Sequence, residues 1–266
     1  KLVSLDSTTI DLCLSMYDWA KFRRTKGAVK LHLVLDHDGY LPSFAVITDG
    51  LCHDVKVAYA LKFDPGTIVV DDRGYNDYHL FAKWTEEEVS FVTRQKGNAT
   101  YTVIESREGY IHPVLRDEII LLTGPGAAEK CPFPIRRIEF YNAEKEQIMV
   151  FLTNNMSLDA QTVADVYKDR WQIELFFKAL KQNLKIKTFV GTTANAVKIQ
   201  IWTALVAMLI LRYCQLKASF LWSLSNLVAL LRMNLFTHRD LWRWLDEPYE
   251  TPPIPYAQEQ MVLALG

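Results

Sequence analysis

The chain has little that would staple it covalently or anchor it in a bilayer. Its four cysteines, Cys13, Cys52, Cys131 and Cys214, are scattered, and no two form a C-x-x-C pair. This spacing excludes a zinc knuckle and a disulfide framework and fits a reducing cytosol. The longest charge-free runs cover 13 residues between Lys198 and Arg212 and 14 between Lys217 and Arg232. A membrane crossing needs roughly 20 apolar residues, so both runs are expected as buried core helices, with no membrane partner. The segment Lys1–Asp6 has neither an initiator methionine nor a signal-peptide pattern and opens straight into an apolar run, as expected of a fragment lacking its upstream part. There is also no excess of one charge. Thirty Lys and Arg against 31 Asp and Glu leave −1, too little for a protein that coats nucleic acid by bulk charge.

What is present is ordinary globular material. The 266 residues are 50% hydrophobic and 23% charged, enough for one large domain or two small ones. Residues 1–97 alternate strand and helix signals. Val29–Leu35 and Leu41–Thr48 flank the turn residues Asp36-His37-Asp38-Gly39 and read as a hairpin. Thr67–Val70 is a short continuous apolar run, as in a strand covered on both faces. Residues 98–158 carry four strand-like runs and no helix pattern. From Asp159 onward the pattern is helical, with 159–217 and 218–266 as successive parts and prolines crowding the tail. The expected architecture is α/β, a mixed-direction sheet with flanking helices, carrying a β-rich subdomain at one edge and a helical C-terminal part.

Three acidic residues stand out by position: Asp6 at the end of the first strand, Asp72 at the end of the apolar one, and Glu174 within the long helix. Asp71 and Asp72 are adjacent and in a strand would point to opposite faces, so at most one faces a site. Carboxylates at neighbouring strand ends joined by one from a helix suit a hard divalent cation, which takes oxygen ligands and keeps several waters. Thirty-one acids make any triple weak by itself; the helix is more specific. With about 100° per residue, Tyr167, Arg170, Glu174 and Lys181 fall within roughly 60° of one face, beside Lys178 and Lys185. Val166, Ile173, Phe176, Phe177, Leu180 and Leu184 occupy the neighbouring, packing arc. Residues 160–217 carry nine basic and three acidic side chains, so one glutamate stands among cations that suit phosphates.

The spaced set Tyr167-x2-Arg170-x3-Glu174-x6-Lys181 resembles the Y-R-E-K signature of bacterial insertion-sequence DDE transposases of the insertion-sequence-4 family. Asp72-Arg73-Gly74-Tyr75 is similar to that family's D-R-G-Y element, and Ser4-Leu5-Asp6-Ser7-Thr8 to its first-aspartate strand. Lys30-Leu31-His32-Leu33 and His53-Asp54 also sit where relatives carry similar residues. The resemblance runs from about residue 2 to about 215 and favours Asp72 over Asp71 as the ligand. It implies an RNase H-like core, built on a mixed five-stranded sheet and interrupted by the β-rich insert before the third carboxylate. It further implies two Mg2+ ions, replaceable by Mn2+, on Asp6, Asp72 and Glu174. The implied chemistry is cleavage at transposon ends and joining of the freed 3′-hydroxyl to target DNA.

The implied partners are double-stranded DNA, at transposon ends and target, and a second copy of the chain in a synaptic homodimer. The implied setting is a bacterial cytoplasm, at the nucleoid. By the same resemblance Tyr167, Arg170 and Lys181 grip phosphates. Such relatives often carry an N-terminal helical DNA-binding domain, and this sequence is expected to lack it. Some relatives also hold a flipped base with an aromatic of the insert. Residues 98–158 contain no Trp, which leaves Phe133, Phe140, Tyr141 or, on the helix, Trp171 as stacking candidates.

Further DNA contacts are expected at Arg73, at Arg94 and Lys96 where a strand ends before the insert, at Lys178 and Lys185, and in the basic cluster Lys21, Arg23, Arg24, Lys26 and Lys30. His32 reads as a strand residue rather than a ligand. Two other functions share the same residues: an RNase H-like nuclease that only hydrolyses, and an inactive DNA-binding remnant.

Overall fold

A computed structural model describes residues 1–23, 26–97, 99–184, 186 and 188–254. In chain order the elements are β1 (Leu2–Leu12), β2 (Lys21–Arg23), β3 (Lys26–Asp36), β4 (Leu41–Asp49), α1 (Asp54–Ala60), β5 (Ile68–Val70), a 3-10 turn (Arg73–Tyr75), α2 (Tyr78–Glu86) and β6 (Ser90–Arg94). There follow β7 (Tyr101–Ser106), β8 (Val114–Leu122), α3 (Ala127–Lys130), β9 (Ile135–Asn142) and β10 (Gln147–Thr153). The helices α4 (Ala160–Asp169), α5 (Trp171–Asn183), α6 (Ala194–Lys217), α7 (Leu224–Met233) and α8 (Leu241–Asp246) complete the described chain. It divides into two compact units, residues 1–178 with 191–194, and residues 179–190 with 195–266.

The first unit is built on one mixed sheet of ten strands. β4, β3 and β1 run antiparallel as neighbours, β5 joins β1 in parallel, and β6 joins β5 in parallel. With the short β2 also paired to β3, these strands form a mixed sheet, as expected of residues 1–97. The β-rich segment does not fold apart from it. β10 pairs antiparallel with β6 through Phe151↔Arg94 and Thr153↔Val92, and β9, β8 and β7 extend the same sheet outward. Any strand edge left by β6 would present unpaired N–H and C=O groups, and β10 uses them.

Alternation sorts the apolar residues onto two faces. Val3, Leu5, Val69 and Phe91 pack with Leu80, Phe81 and Trp84 of α2, where the Phe81 and Phe91 rings stack at 4.3 Å. Val70 and Val92 point the other way, onto Ala160, Val163 and Ala164 of α4. The apolar run ending at Val70 is therefore covered on both faces, as its pattern predicts.

Three local expectations need correction. β1 continues to Leu12 rather than stopping near Asp6, because β3 pairs with it along its whole length, from Val3↔Asp36 to Leu12↔Gly27. The β-rich segment holds one short helix, α3, around the buried Ala127. The single helix expected from Asp159 to Lys185 is two, parted at Arg170. There the Arg170 amide donates to Tyr167 O and the Ile173 amide to Arg170 O, both three residues apart, so the chain tightens by one turn. Asp159 caps α4 by accepting from the Gln161 and Thr162 amides.

The second unit gathers Cys214, Trp222, Leu227, Trp244 and Leu245 into its own cluster, with Trp222 Nε1 donating to Leu245 O at 2.7 Å. Its helix α6 is long and apolar enough by composition to cross a membrane, with a mean hydropathy of 1.7. The expectation of a wholly buried helix is met on one side only. Val197, Ile201, Leu205 and Met208 are buried, whereas Ile199, Trp202, Val206 and Ile210 are exposed. Apolar residues run all the way round α6, so packing one side leaves the other uncovered. The proline-rich tail from residue 255 lies outside the described residues.

Candidate active site

The first unit brings three carboxylates to one end of its parallel strands. Asp6 lies on β1 opposite Leu33 of β3, and its Oδ1 accepts from the Ser7 amide at 2.7 Å. Burial pushes its carboxyl up to about 7; the Ser7 amide and Arg170 pull it down, and Asp72 and Glu174 push it further up. Asp72 follows β5 and caps the 3-10 turn, its Oδ1 accepting from the Gly74 amide at 2.6 Å. A Cβ at Gly74 would lie 2.7 Å from that oxygen, so a side chain there would displace the carboxylate. The neighbouring Asp71 is sealed from solvent, and burial raises its carboxyl well above the ordinary range, whereas Asp72 is half-buried. Of the adjacent pair, only Asp72 offers a solvent-accessible carboxylate.

Glu174, in the first turn of α5, meets Asp6 through a shared cation. Arg170 Nη2 donates to Glu174 Oε1 at 2.5 Å and Nη1 to Asp6 Oδ2 at 3.4 Å. The guanidinium lies over the Tyr167 ring at 5.5 Å, and that ring packs against Phe151 at 4.9 Å. Among the described residues, no three His, Cys, Asp or Glu side chains close up into a ready-made metal cage. The donor set nonetheless suits a hard cation: all three groups are carboxylates, and the like charges destabilise ionised Asp6 wherever a positive partner is short. Arg170 supplies that partner here with a single long bond to Asp6.

Comparison with known proteins identifies the family. A family model described as a transposase DDE domain matches residues 1–210. The chain belongs to the DDE-domain transposase family. It is 33% identical over 242 residues to a putative transposase, y4zB, of Sinorhizobium fredii, covering 89% of this chain and 67% of the relative. It is 32% identical over 213 residues to a probable transposase for insertion sequence element IS5377 of Geobacillus stearothermophilus, covering 79% of this chain and 55% of the relative. A putative transposase for insertion sequence element IS4SA of Synechocystis is 25% identical over 223 residues, covering 80% of this chain and 60% of the relative. The chain thus spans roughly half to two thirds of these relatives. A solved piggyBac transposase synaptic complex with hairpin DNA resembles it at a TM-score of 0.44 and 10% identity, over 94% of this chain and 54% of that one, too loosely to build on.

The other residues expected to act in this DDE-domain chain divide by place. Around Asp72, Arg73 is exposed and Arg94 ends β6. Asn76 Nδ2 donates to Thr93 Oγ1 and Arg94 O, which ties the 3-10 turn to β6, and Lys96 Nζ donates to Asn76 O at 3.1 Å. Trp171 and Lys178 are exposed on α5. Lys181 belongs to the second unit, and Lys185 lies outside the described residues. Arg24 of the basic cluster is likewise outside them, and Lys30 donates to Cys52 O at 2.8 Å and Asp54 Oδ1 at 3.1 Å. Phe133 and Phe140 pack against the two cores, which leaves Trp171 the more exposed stacking candidate.

Two features escaped sequence reasoning. Asp54 collects Ser7 Oγ at 2.7 Å and Lys30, with His32 Nδ1 at 3.6 Å, so the Lys30, His32 and Asp54 motifs are one cluster. Burial pushes His32 down to about 4, and its Nε2 bonds Thr48 Oγ1 at 2.8 Å, so it stands as a neutral strand residue. Tyr75 is buried with an unpartnered hydroxyl, raised well above its ordinary value by burial and by Asp6, Asp54, Asp71 and Asp72. The D-R-G-Y element was the one available signal for it.

Proposed function

We propose that this chain is the catalytic part of an insertion-sequence transposase of the insertion-sequence-4 type. It would cut DNA at the element's ends and join the freed 3′-hydroxyl to target DNA, with Asp6, Asp72 and Glu174 as the carboxylate triad. The observation that supports this reading best is the geometry of the cluster: Arg170 bridges the part-buried Asp6 and Glu174, and Asp72 stands near enough to act on Asp6 as a further like charge. The β4-β3-β1-β5-β6 order supports an RNase H-like core, with residues 98–158 inserted between the second and third carboxylates.

Asp6, Asp72 and Glu174 would hold two divalent cations, Mg2+ with Mn2+ as a substitute. When bound, such a pair lowers the pKa of the attacking hydroxyl and neutralises the leaving oxygen. The Ser7 amide aims Asp6, the Gly74 amide aims Asp72, and the tight turn at Arg170 sets Glu174 on the site side of α5. Tyr167 supports the Arg170 guanidinium, and both would contact a phosphate next to the scissile bond. Arg73, Arg94, Lys96, Lys178, Lys181 and Lys185 would hold the DNA backbone, and Trp171 would stack on a base. Two chains would synapse the ends as a homodimer, at the nucleoid in the cytoplasm.

The test is Mg2+-dependent nicking of plasmid DNA carrying the element's ends by the full chain. Glu174→Gln should abolish cutting and leave DNA binding largely intact. A variant that cuts as fast as the parent overturns the assignment. Strand transfer from a pre-cut end separates transposition from a nuclease that only hydrolyses, and binding without any cutting would mark an inactive remnant.

A further inference from the structure

A Ser–His–Asp chain, sealed at Ser4 and open to solvent at Asp169, lies beside the triad. His37, in the β3–β4 turn, bonds Ser4 Oγ through Nε2 at 2.7 Å and Asp169 Oδ2 through Nδ1 at 3.2 Å. A carboxylate oxygen accepts, so Nδ1 donates to Asp169 and Nε2 is left to bond the serine hydroxyl. The order is that of a hydrolytic relay. Ser4, however, is fully buried within β1, paired to Leu35 on one side and Val70 on the other, and no substrate reaches it. The relay therefore holds rather than reacts.

What it holds is informative. Ser4 and Asp6 are two residues apart on β1 and face the same way. Asp169 is the last residue of α4, directly before Arg170, whose guanidinium spans Asp6 and Glu174. His37 also donates its backbone N–H to Leu2 O at 3.1 Å, so it is fixed to β1 twice. A second residue of the same turn converges on the same carboxylate. Tyr40 donates its hydroxyl to Asp169 Oδ2 at 3.3 Å from a backbone with φ of +52°, a conformation that bulky side chains rarely adopt. Strain of this kind persists where the surroundings over-determine it. The hairpin turn thus grips the α4–α5 junction with two side chains.

We propose that His37 is a positioning residue, which together with Ser4, Asp169 and Tyr40 locks the Asp6 strand to the α4–α5 junction and so sets Glu174 and Arg170 against Asp6. This rests on the triad reading above. The test is nicking kinetics of the full chain with Mg2+. His37→Ala should lower kcat by about tenfold or more while KM for DNA moves less than about threefold, because a small misplacement of a reacting geometry is costly. His37→Gln, whose amide both donates to Asp169 and accepts from Ser4, should return kcat to within about threefold of the parent. An alanine variant within twofold of the parent, or a glutamine variant as impaired as alanine, overturns the proposal.

If Glu174→Gln cuts as fast as the parent, the triad reading fails, and the lock is judged by 15N NMR. The parent should show a His37 Nδ1–H hydrogen-bonded to a carboxylate, and His37→Ala should shift the Arg170 side-chain resonance, with recovery in His37→Gln. An Arg170 resonance indifferent to His37 overturns the lock itself.

Discussion

In the β-rich part of the sheet, Arg136 reaches Asp117 with two prongs, Nε to Oδ1 at 2.8 Å and Nη2 to Oδ2 at 2.6 Å. At the candidate site, Arg170 reaches Asp6 with one, at 3.4 Å. Arg136 also spends Nη1 on Asn155 O and Leu158 O, so every part of its guanidinium is used, and both partners are sealed from solvent. Arg170 leaves a buried Nε without a partner and divides itself between two carboxylates. The same pair of residue types thus makes a closed structural clasp in one place and an open, under-compensated cluster in the other. A satisfied buried pair resists change; an unsatisfied one has capacity left for a ligand.

The sharpest way to break this comparison is to remove one group from each side. Glu174→Gln should cost 10³-fold or more in metal-dependent nicking, about 4 kcal/mol or more of transition-state stabilisation, while leaving the melting temperature unchanged or higher. Asp117→Ala should do the reverse. Stranding Arg136 in the interior should cost about 3–5 kcal/mol in denaturant unfolding. A loss below about 1 kcal/mol would put the two pairs in the same class.

The pH dependence sharpens it further. Asp6 is raised in the fold, so the folded state binds its proton more tightly and stability falls as pH rises from about 4 to about 7. Asp6→Asn should therefore stabilise the metal-free protein at pH 8 by up to about 4 kcal/mol and give no gain below pH 4, read by thermal melts across pH. His32 acts with the opposite sign. It is lowered to about 4, so the unfolded chain binds protons first and stability falls as pH drops from 6.5 to 4. His32→Gln should flatten that limb by up to about 3 kcal/mol. The smallest effect is expected at Lys181→Ala, which should weaken DNA binding and reduce the salt slope by about one. An unchanged slope removes Lys181 from the phosphate contacts.

Much of this was legible beforehand for reasons that are local. Thr67–Val70 reads as a doubly covered strand because its side chains have no polar alternation, and that is how β5 is packed. Tyr167, Arg170 and Glu174 meet although the helix breaks at Arg170, the guanidinium lying over the Tyr167 ring and bonding Glu174. The continuation of the sheet through β10 was not legible, since a strand's pattern does not name its partner. Lys30 could not be told from a DNA-facing lysine, because its bond to Asp54 depends on the start of α1, 24 residues away.

Alternation, turn residues and spaced charges are short-range properties. By themselves they determined the α/β class, the β-rich middle, the helical end and the three carboxylates worth examining. Which of Asp71 and Asp72 is sealed, which arginine is satisfied, and that His37 meets Ser4 and Asp169 across 33 and 132 residues were decided only by the tertiary structure. Burial and counter-charge belong to the three-dimensional neighbourhood, and they turn an ordinary aspartate into either half of a clasp or part of a site.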